Sequence, residues 1–194
     1  MNKLYVTVVS ILKPFMWLFF PHKVIGLENL PKGRALLCAN HASGWDPVII
    51  AVSMPARTRV AAMGKEELFK IPVVGWFIRK VGAFPVKRGS NDVAAMKESL
   101  KALNDEKYLM IFPEGTRVDY PGQVEAKGGV AVLSTRTQSP IVPIYCGGKH
   151  KFLRRTTVVV GKPYIPEIAG RRSTAQENQQ IVDDLMERIY SQAR

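Results

Sequence analysis

Five short apolar runs, at 35–39, 59–63, 108–112, 141–145 and 156–160, alternate along this chain with stretches of helical spacing. Each run has the length of a strand rather than a helix and reads as a buried strand. Strands alternating with helices argue for an α/β domain. Val93, Met96, Leu100 and Leu103 recur at helical spacing behind Asn91 and Asp92, which can accept bonds from the first free amides. Pro72 opens a second helix, expected over 72–81 and followed by Gly82. The last helix starts at a capping box, Thr174 with Glu177. Its Ile181, Leu185, Met186 and Ile189 make one apolar stripe suited to packing. With 194 residues, 46% of them hydrophobic, the chain fits one domain plus a short appendage.

That appendage is the segment 1–23, ahead of a domain at 24–194. Residues 4–20 are strongly apolar, but Lys13 and Pro14 interrupt them, and neither half approaches the ~20 apolar residues of a spanning helix. Lys3 before an apolar run suggests a secretory signal, yet no small-residue cleavage site follows. Phe15, Trp17, Phe19 and Phe20, flanked by Lys13 and Lys23, suit a helix lying among lipid headgroups. The alternative is a core helix packed on the domain. The run has no polar face for water, which favours the membrane.

Lys and Arg outnumber Asp and Glu by 28 to 16, a formal net charge of +12, so partners should be anionic. Nucleic acid, an anionic bilayer, and acidic substrates or carrier proteins all fit. The basic residues are dispersed rather than grouped with stacking aromatics, and no nucleic-acid module is recognisable, which argues against nucleic acid. The two cysteines, Cys38 and Cys146, lie far apart in apolar stretches without metal-type spacing, as in a reduced, cytosol-facing protein that needs no metal.

Two segments carry chemistry. Asn40-His41-Ala42-Ser43-Gly44-Trp45-Asp46-Pro47 follows the first run at a strand-to-helix turn. An alcohol attacking an acyl thioester must lose its proton, and a histidine held by a carboxylate can take it and be stabilised as imidazolium. His41 and Asp46 are spaced for one compact turn, with Gly44 freeing the backbone. The plainer reading makes Asp46 a helix N-cap with Pro47 as first helical residue, and His41 a solvated loop residue. Phe112-Pro113-Glu114-Gly115-Thr116-Arg117 closes another strand at the end where open α/β sheets bind ligands. Arg117 offers a planar fork for phosphate, and Gly115 lets amides approach an anion. Glu114 would repel a phosphate, so it fits better as the orienter of Arg117 or of a substrate hydroxyl.

Together, in this order and spacing, Asn-His-x-Ser-x-x-Asp and Phe-Pro-Glu-Gly-Thr-Arg resemble the glycerolipid acyltransferase family. The resemblance continues through Lys65-Glu66-Glu67-Leu68, Gly75-Trp76, the 82–88 segment ending in Lys87-Arg88, Lys127-Gly128-Gly129 and Val142-Pro143-Ile144. It covers about three quarters of the chain, leaving the first segment and the last helix without motifs. It implies a mixed central sheet flanked by helices, glycerol-3-phosphate acyltransferase-like. It also implies acylation of the sn-2 hydroxyl of 1-acyl-glycerol-3-phosphate (lysophosphatidic acid) to phosphatidic acid, with acyl carrier protein or coenzyme A thioester as co-substrate and no cofactor. His41 is then the general base and Asp46 its orienting partner. Arg88 and Arg117 bind the acceptor phosphate with help from Lys65 and Lys127, Glu114 and Gly115 line the acceptor site, and Pro143 shapes the pocket. Lys87, where many members have Asp, and Val118, where Ser is frequent, depart from the pattern and bear on the head group. The implied location is the cytoplasmic face of the membrane, monotopic or peripheral. Rival readings are a sister enzyme acting on another lysolipid or glycerol 3-phosphate, and a non-catalytic basic membrane protein.

Overall fold

The computed structural model describes residues 3–55, 58–87, 92–148, 150 and 152–193. In chain order, α1 (Lys3–Phe19) leads to β1 (His22–Ile25), a 3-10 turn at Leu27–Asn29, and β2 (Ala35–Ala39). Then come α2 (Asp46–Ser53), β3 (Val60–Lys65), a 3-10 turn at Glu66–Lys70, α3 (Pro72–Lys80) and β4 (Ala83–Val86). The chain continues with α4 (Val93–Asn104), β5 (Tyr108–Ile111), α5 (Gly129–Thr137), β6 (Ile141–Cys146), β7 (Thr156–Val160) and α6 (Ala175–Tyr190).

The strands form one sheet in the order β1-β7-β6-β2-β5-β3-β4, parallel except where β7 runs antiparallel to β6. This is the mixed sheet expected. All five apolar runs became strands, and fully buried β2 sits at the centre. The edge strands β1 and β4 were not foreseen. Each has only four residues, and β4 contains Pro85, which cannot donate to a ladder and is tolerated at an edge.

Crossovers explain the layers. Those from β2 to β3 and from β3 to β4 run toward one edge, while those from β4 to β5 and from β5 to β6 return. Right-handed connection therefore places α2 and α3 on one face, and α4 and α5 on the other. The core divides accordingly. Ile49, Ile50 and Val52 of α2 cluster with Leu37 and Val142. Leu103 of α4, Val130 and Leu133 of α5, and Ile181, Leu185 and Ile189 of α6 cluster with Leu36 and Ile141. After β2 the chain leaves to one face, and after its neighbour β5 to the other. Such a reversal opens a crevice at the carboxyl ends of the strands.

The helix ends follow their sequence signals. Asp92 accepts from the Ala95 amide at 2.9 Å, while Asn91, the other capping candidate, lies outside the described residues. Thr174 accepts from the Glu177 amide at 3.1 Å, and Glu177 accepts from the Thr174 amide at 2.7 Å. α1 runs without a break through Pro14. Its Tyr5, Val9 and Met16 are buried in the α2-side cluster, while Leu4, Ile11, Phe15 and Leu18 are exposed. Both faces of α1 are thus apolar: one packs on the domain, as in the core-helix alternative, and the other lies bare. Among the described residues no helix is long and apolar enough to cross a membrane.

Candidate active site

Register brings the two motif segments together. Cys38 of β2 pairs with Ile111 of β5, so His41 and Glu114 each lie three residues beyond paired positions. The His41 amide donates to Glu114 Oε2 at 2.7 Å, and the Val118 amide donates to the His41 carbonyl at 2.8 Å. On the other side, Asn40 acts like an extra rung of sheet. Its side-chain amide donates to the Cys146 carbonyl at 3.1 Å, and its carbonyl accepts from the Cys146 amide at 2.7 Å. The loop bearing His41 is therefore tied to both neighbouring strands.

Asp46 opens α2 but does not cap it. Its carboxylate turns back into the loop, where Oδ2 lies 2.9 Å from His41 Nδ1 and accepts from the Ser43 amide at 2.7 Å. The residue before the helix is Trp45, so the N-cap expectation gives way to the histidine contact. Gly44 has no left-handed φ. What its missing side chain leaves is room beside Arg117, whose Nη1 would stand 3.8 Å from a Cβ there. Gly115, in contrast, has φ +66° and turns the chain as a β-carbon would resist.

Asp46 is fully buried and His41 is 6% exposed. Burial alone would push the Asp46 carboxyl up. The imidazoles of His150 and His41 and the Ser43 amide outweigh it and hold the group below the ordinary carboxylate range. A carboxylate only accepts, so His41 Nδ1 donates to it and Nε2 carries the free lone pair. The His41 ring also stacks on Phe112, with centroids 4.2 Å apart.

Three contributors escaped sequence reasoning. His150 is buried, with Nε2 3.2 Å from Asp46 Oδ1 and Nδ1 2.9 Å from Thr156 Oγ1. At the first distance the His150 imidazole is one of the groups that hold the Asp46 carboxyl down. Tyr190, at the end of α6, donates to Glu114 Oε1 at 2.5 Å. Asn40 is the third. No motif marks His150 or Tyr190, and both reach the site from more than 70 residues away, so only the fold reveals them. Each Glu114 oxygen thus accepts one hydrogen bond, and Glu114 ties the His41 loop to α6.

Burial raises the Glu114 carboxyl above its ordinary value of 4.5, against the Tyr190 hydroxyl and the His41 amide. A folded value above the unfolded one means that this contribution to stability is full below about pH 4.5 and is lost as pH rises through the folded value. Asp46 has the opposite sign. Its contribution is present above 3.8 and is lost as pH falls through the folded value. In Glu114→Gln the amide oxygen can accept from His41 while its nitrogen donates to the Tyr190 oxygen. We expect the variant to gain stability relative to wild type as pH rises above 4.5. Urea unfolding measured on both sides of that pH checks this, and parallel pH profiles would contradict it.

The remaining candidates fall out unequally. Gly115 and Lys127 line a groove of about 910 Å³ together with Glu114, between the carboxyl ends of the strands and helices α4 and α5. Its apolar wall includes Met63, Met96, Ile111, Val130 and Leu133, and Phe112 joins it to His41. Exposed Lys87 also lines it. Arg117 lies over the His41–Asp46 loop at Gly44. Lys65 is exposed, pairs with Glu67 at 3.4 Å, and does not line the groove. Arg88 lies outside the described residues. Pro143 is in buried β6, opposite Cys38 in register.

Cys38 and Cys146 are fully buried, and burial pushes both thiols up, away from the nucleophilic thiolate. Asp46, Cys146 and His150 place one potential ligand atom each within 4.8 Å of one another. The protonated thiol and the engagement of Asp46 by His41 make that a poor set of metal donors.

The family described as Acyltransferase matches residues 22–147. The 1-acyl-sn-glycerol-3-phosphate acyltransferase of Bacillus subtilis is 32% identical over 146 residues, which are 73% of this chain and 72% of that protein. The protein of the same name from Streptococcus pneumoniae is 33% identical over 110 residues, 56% of this chain and 40% of that one. The crystal structure of the 1-acyl-sn-glycerophosphate (LPA) acyltransferase PlsC from Thermotoga maritima superposes with a TM-score of 0.73 and 26% identity, covering 94% of this chain and 77% of that chain.

Proposed function

This chain belongs to the acyltransferase family, and from that premise we propose that it acylates the sn-2 hydroxyl of lysophosphatidic acid from an acyl thioester to give phosphatidic acid. The observation that carries the reading is the 2.9 Å contact of His41 Nδ1 with the charged Asp46, which leaves Nε2 as base beside an apolar groove. In the reaction, Nε2 takes the hydroxyl proton as the oxygen bonds to the thioester carbon. The tetrahedral oxyanion collapses, the carbon–sulfur bond breaks, and the thiol leaves with the proton from the imidazolium. Asp46 stabilises that imidazolium. No covalent acyl-enzyme and no cofactor beyond the thioester is involved.

Arg117, next to the His41 loop, and Lys127, on the groove, supply charge for the acceptor phosphate, and Arg88 and Lys65 are assigned to the same task from the family pattern. The groove's length of methionine, valine and leucine side chains suits an acyl chain, which costs on the order of 0.8 kcal/mol per methylene left in water. The donor is an acyl carrier protein or coenzyme A thioester, both anionic and so matched to a chain of net charge +12. Thiol release with each donor, run with lysophosphatidic acid, other lysolipids and glycerol 3-phosphate in parallel, tests the reading. Preference for glycerol 3-phosphate, or release without any acceptor, would refute it.

We further place the enzyme on the cytoplasmic face of the membrane, held as a peripheral or monotopic protein by the bare face of α1. Because Tyr5, Val9 and Met16 belong to the core, deleting the segment would uncover the domain. Substituting the outer stripe is the cleaner experiment. Ile11→Asn, Phe15→Asn and Leu18→Asn together are expected to reduce co-sedimentation with anionic vesicles at least ~10-fold, since each buried side chain is worth about 1.5–3 kcal/mol. Unchanged co-sedimentation would remove α1 from this role.

A further inference from the structure

α3 docks on the domain in an unusual way. Gly75 is its buried residue, and a Cβ there would come within 2.4 Å of the Phe69 backbone oxygen. The helix therefore rests on the Glu66–Lys70 turn through bare backbone and does not bury an apolar stripe. Its large side chains point elsewhere. Val73 is 78% exposed and Trp76 59%, with Leu68, Ile71, Val74 and Phe77 also exposed. Single exposed apolar residues are normal, but six within ten residues make a patch of the kind that marks an interaction surface.

Two observations select the partner. The first is charge: Arg79 and Lys80 close α3, which carries no acidic residue, the turn's Glu66 and Glu67 are matched by Lys70 at 3.2 Å and Lys65 at 3.4 Å, and the Arg79 guanidinium lies 4.9 Å from the Phe69 ring centroid. Aromatic and aliphatic side chains edged by bases fit the boundary between acyl chains and anionic headgroups. The second is placement. Right-handed crossovers put α3 on the same face of the sheet as α2, and Val81, directly after α3, packs against the cluster that contains the inner residues of α1. α1 and α3 thus lie on the same face of the sheet, each with apolar side chains left bare.

We propose that α3 and the Glu66–Lys70 turn are a second footing on an anionic bilayer. This rests on the reading of α1 as the first. A single surface helix leaves the domain free to roll about the helix axis. A second contact, displaced across the sheet, removes that freedom and fixes the carboxyl edge of the strands, with His41, at a constant attitude to the lipid.

The three tryptophans make the test direct. W17F/W45F leaves Trp76 as the reporter, and W45F/W76F leaves Trp17. Each full-length variant is mixed with vesicles of phosphatidylcholine and phosphatidylglycerol containing brominated acyl chains. Trp76 emission is expected to shift to the blue and fall at least about twofold through bromine quenching. Val73→Asp in the wild-type background is expected to lower the vesicle-bound fraction about fivefold. Quenching of Trp17 without quenching of Trp76 would overturn the second footing and spare the first. Silence of both reporters would overturn both. An unquenched Trp76 in a chain whose sedimentation reveals a dimer, lost in Val73→Asp, would assign the patch to a second copy and so also overturn the proposal.

Discussion

His41→Ala is expected to lower turnover ~10²- to 10⁴-fold, the usual contribution of a positioned general base. Asp46→Asn should be milder, for a reason visible in the loop. Both the His41 ring and the Ser43 amide bind the same oxygen, Oδ2. An asparagine with its oxygen there keeps both bonds, and its amide nitrogen meets His150 Nε2, 3.2 Å from Oδ1, which accepts once the ring proton moves to Nδ1, where Thr156 Oγ1 takes it. Geometry survives and only charge is lost. A hydrogen bond to a charged group contributes about 1.5–3 kcal/mol, so the expected loss is roughly 10- to 150-fold. Asp46→Ala, which frees the imidazole to rotate, should approach the His41→Ala level. Thiol-release rates on variants with wild-type circular dichroism decide the matter. Wild-type turnover in His41→Ala would end the general-base assignment.

Arg117→Ala is expected to raise the KM for lysophosphatidic acid roughly 10- to 150-fold while kcat stays within a few fold. The guanidinium lies over the His41 loop at Gly44, where it can hold a phosphate without touching the reacting carbon. Such binding is equal in ground and transition states and appears in KM. The same loss of about 1.5–3 kcal/mol for a charge-assisted bond sets the range. Arg117→Lys should recover only part, because an ammonium cannot reproduce the two-toothed fork. A fall in kcat with KM unchanged would move Arg117 from the phosphate to the chemistry.

The parts of this structure legible in the sequence are those written locally. β7 is announced by its branched residues, α6 by a capping box, and the His41–Asp46 contact by a spacing that one turn can close. β1 and β4 are too short to speak for themselves. α5 has no local announcement either: Val130, Val132, Thr135 and Thr137 are β-branched and weak helix formers, and packing of Val130, Ala131 and Leu133 holds them helical. Thr135 and Thr137 turn their hydroxyls onto the Ala131 and Leu133 carbonyls at 2.8 and 2.7 Å, inside the helix. In the site, the glutamate was recognised but its bonds were not, since the His41 amide and the Tyr190 hydroxyl are remote from it in the chain. His150 had no pattern at all.

Those remote bonds have a kinetic consequence. The contacts that order the catalytic loop close sequence separations of 73, 76 and 106 residues, through Glu114 to His41, Tyr190 to Glu114, and Asn40 to Cys146. Long closures form late, because the entropy of bringing distant segments together is spent before any contact rewards it. A collapsed intermediate with α1 and α6 already helical would bind and release thioester no better than an unfolded chain. During refolding, recovery of acyl transfer should therefore trail the return of helical signal and coincide with the closing of these long-range contacts, so that the enzyme's own turnover serves as a clock for the late steps of its folding.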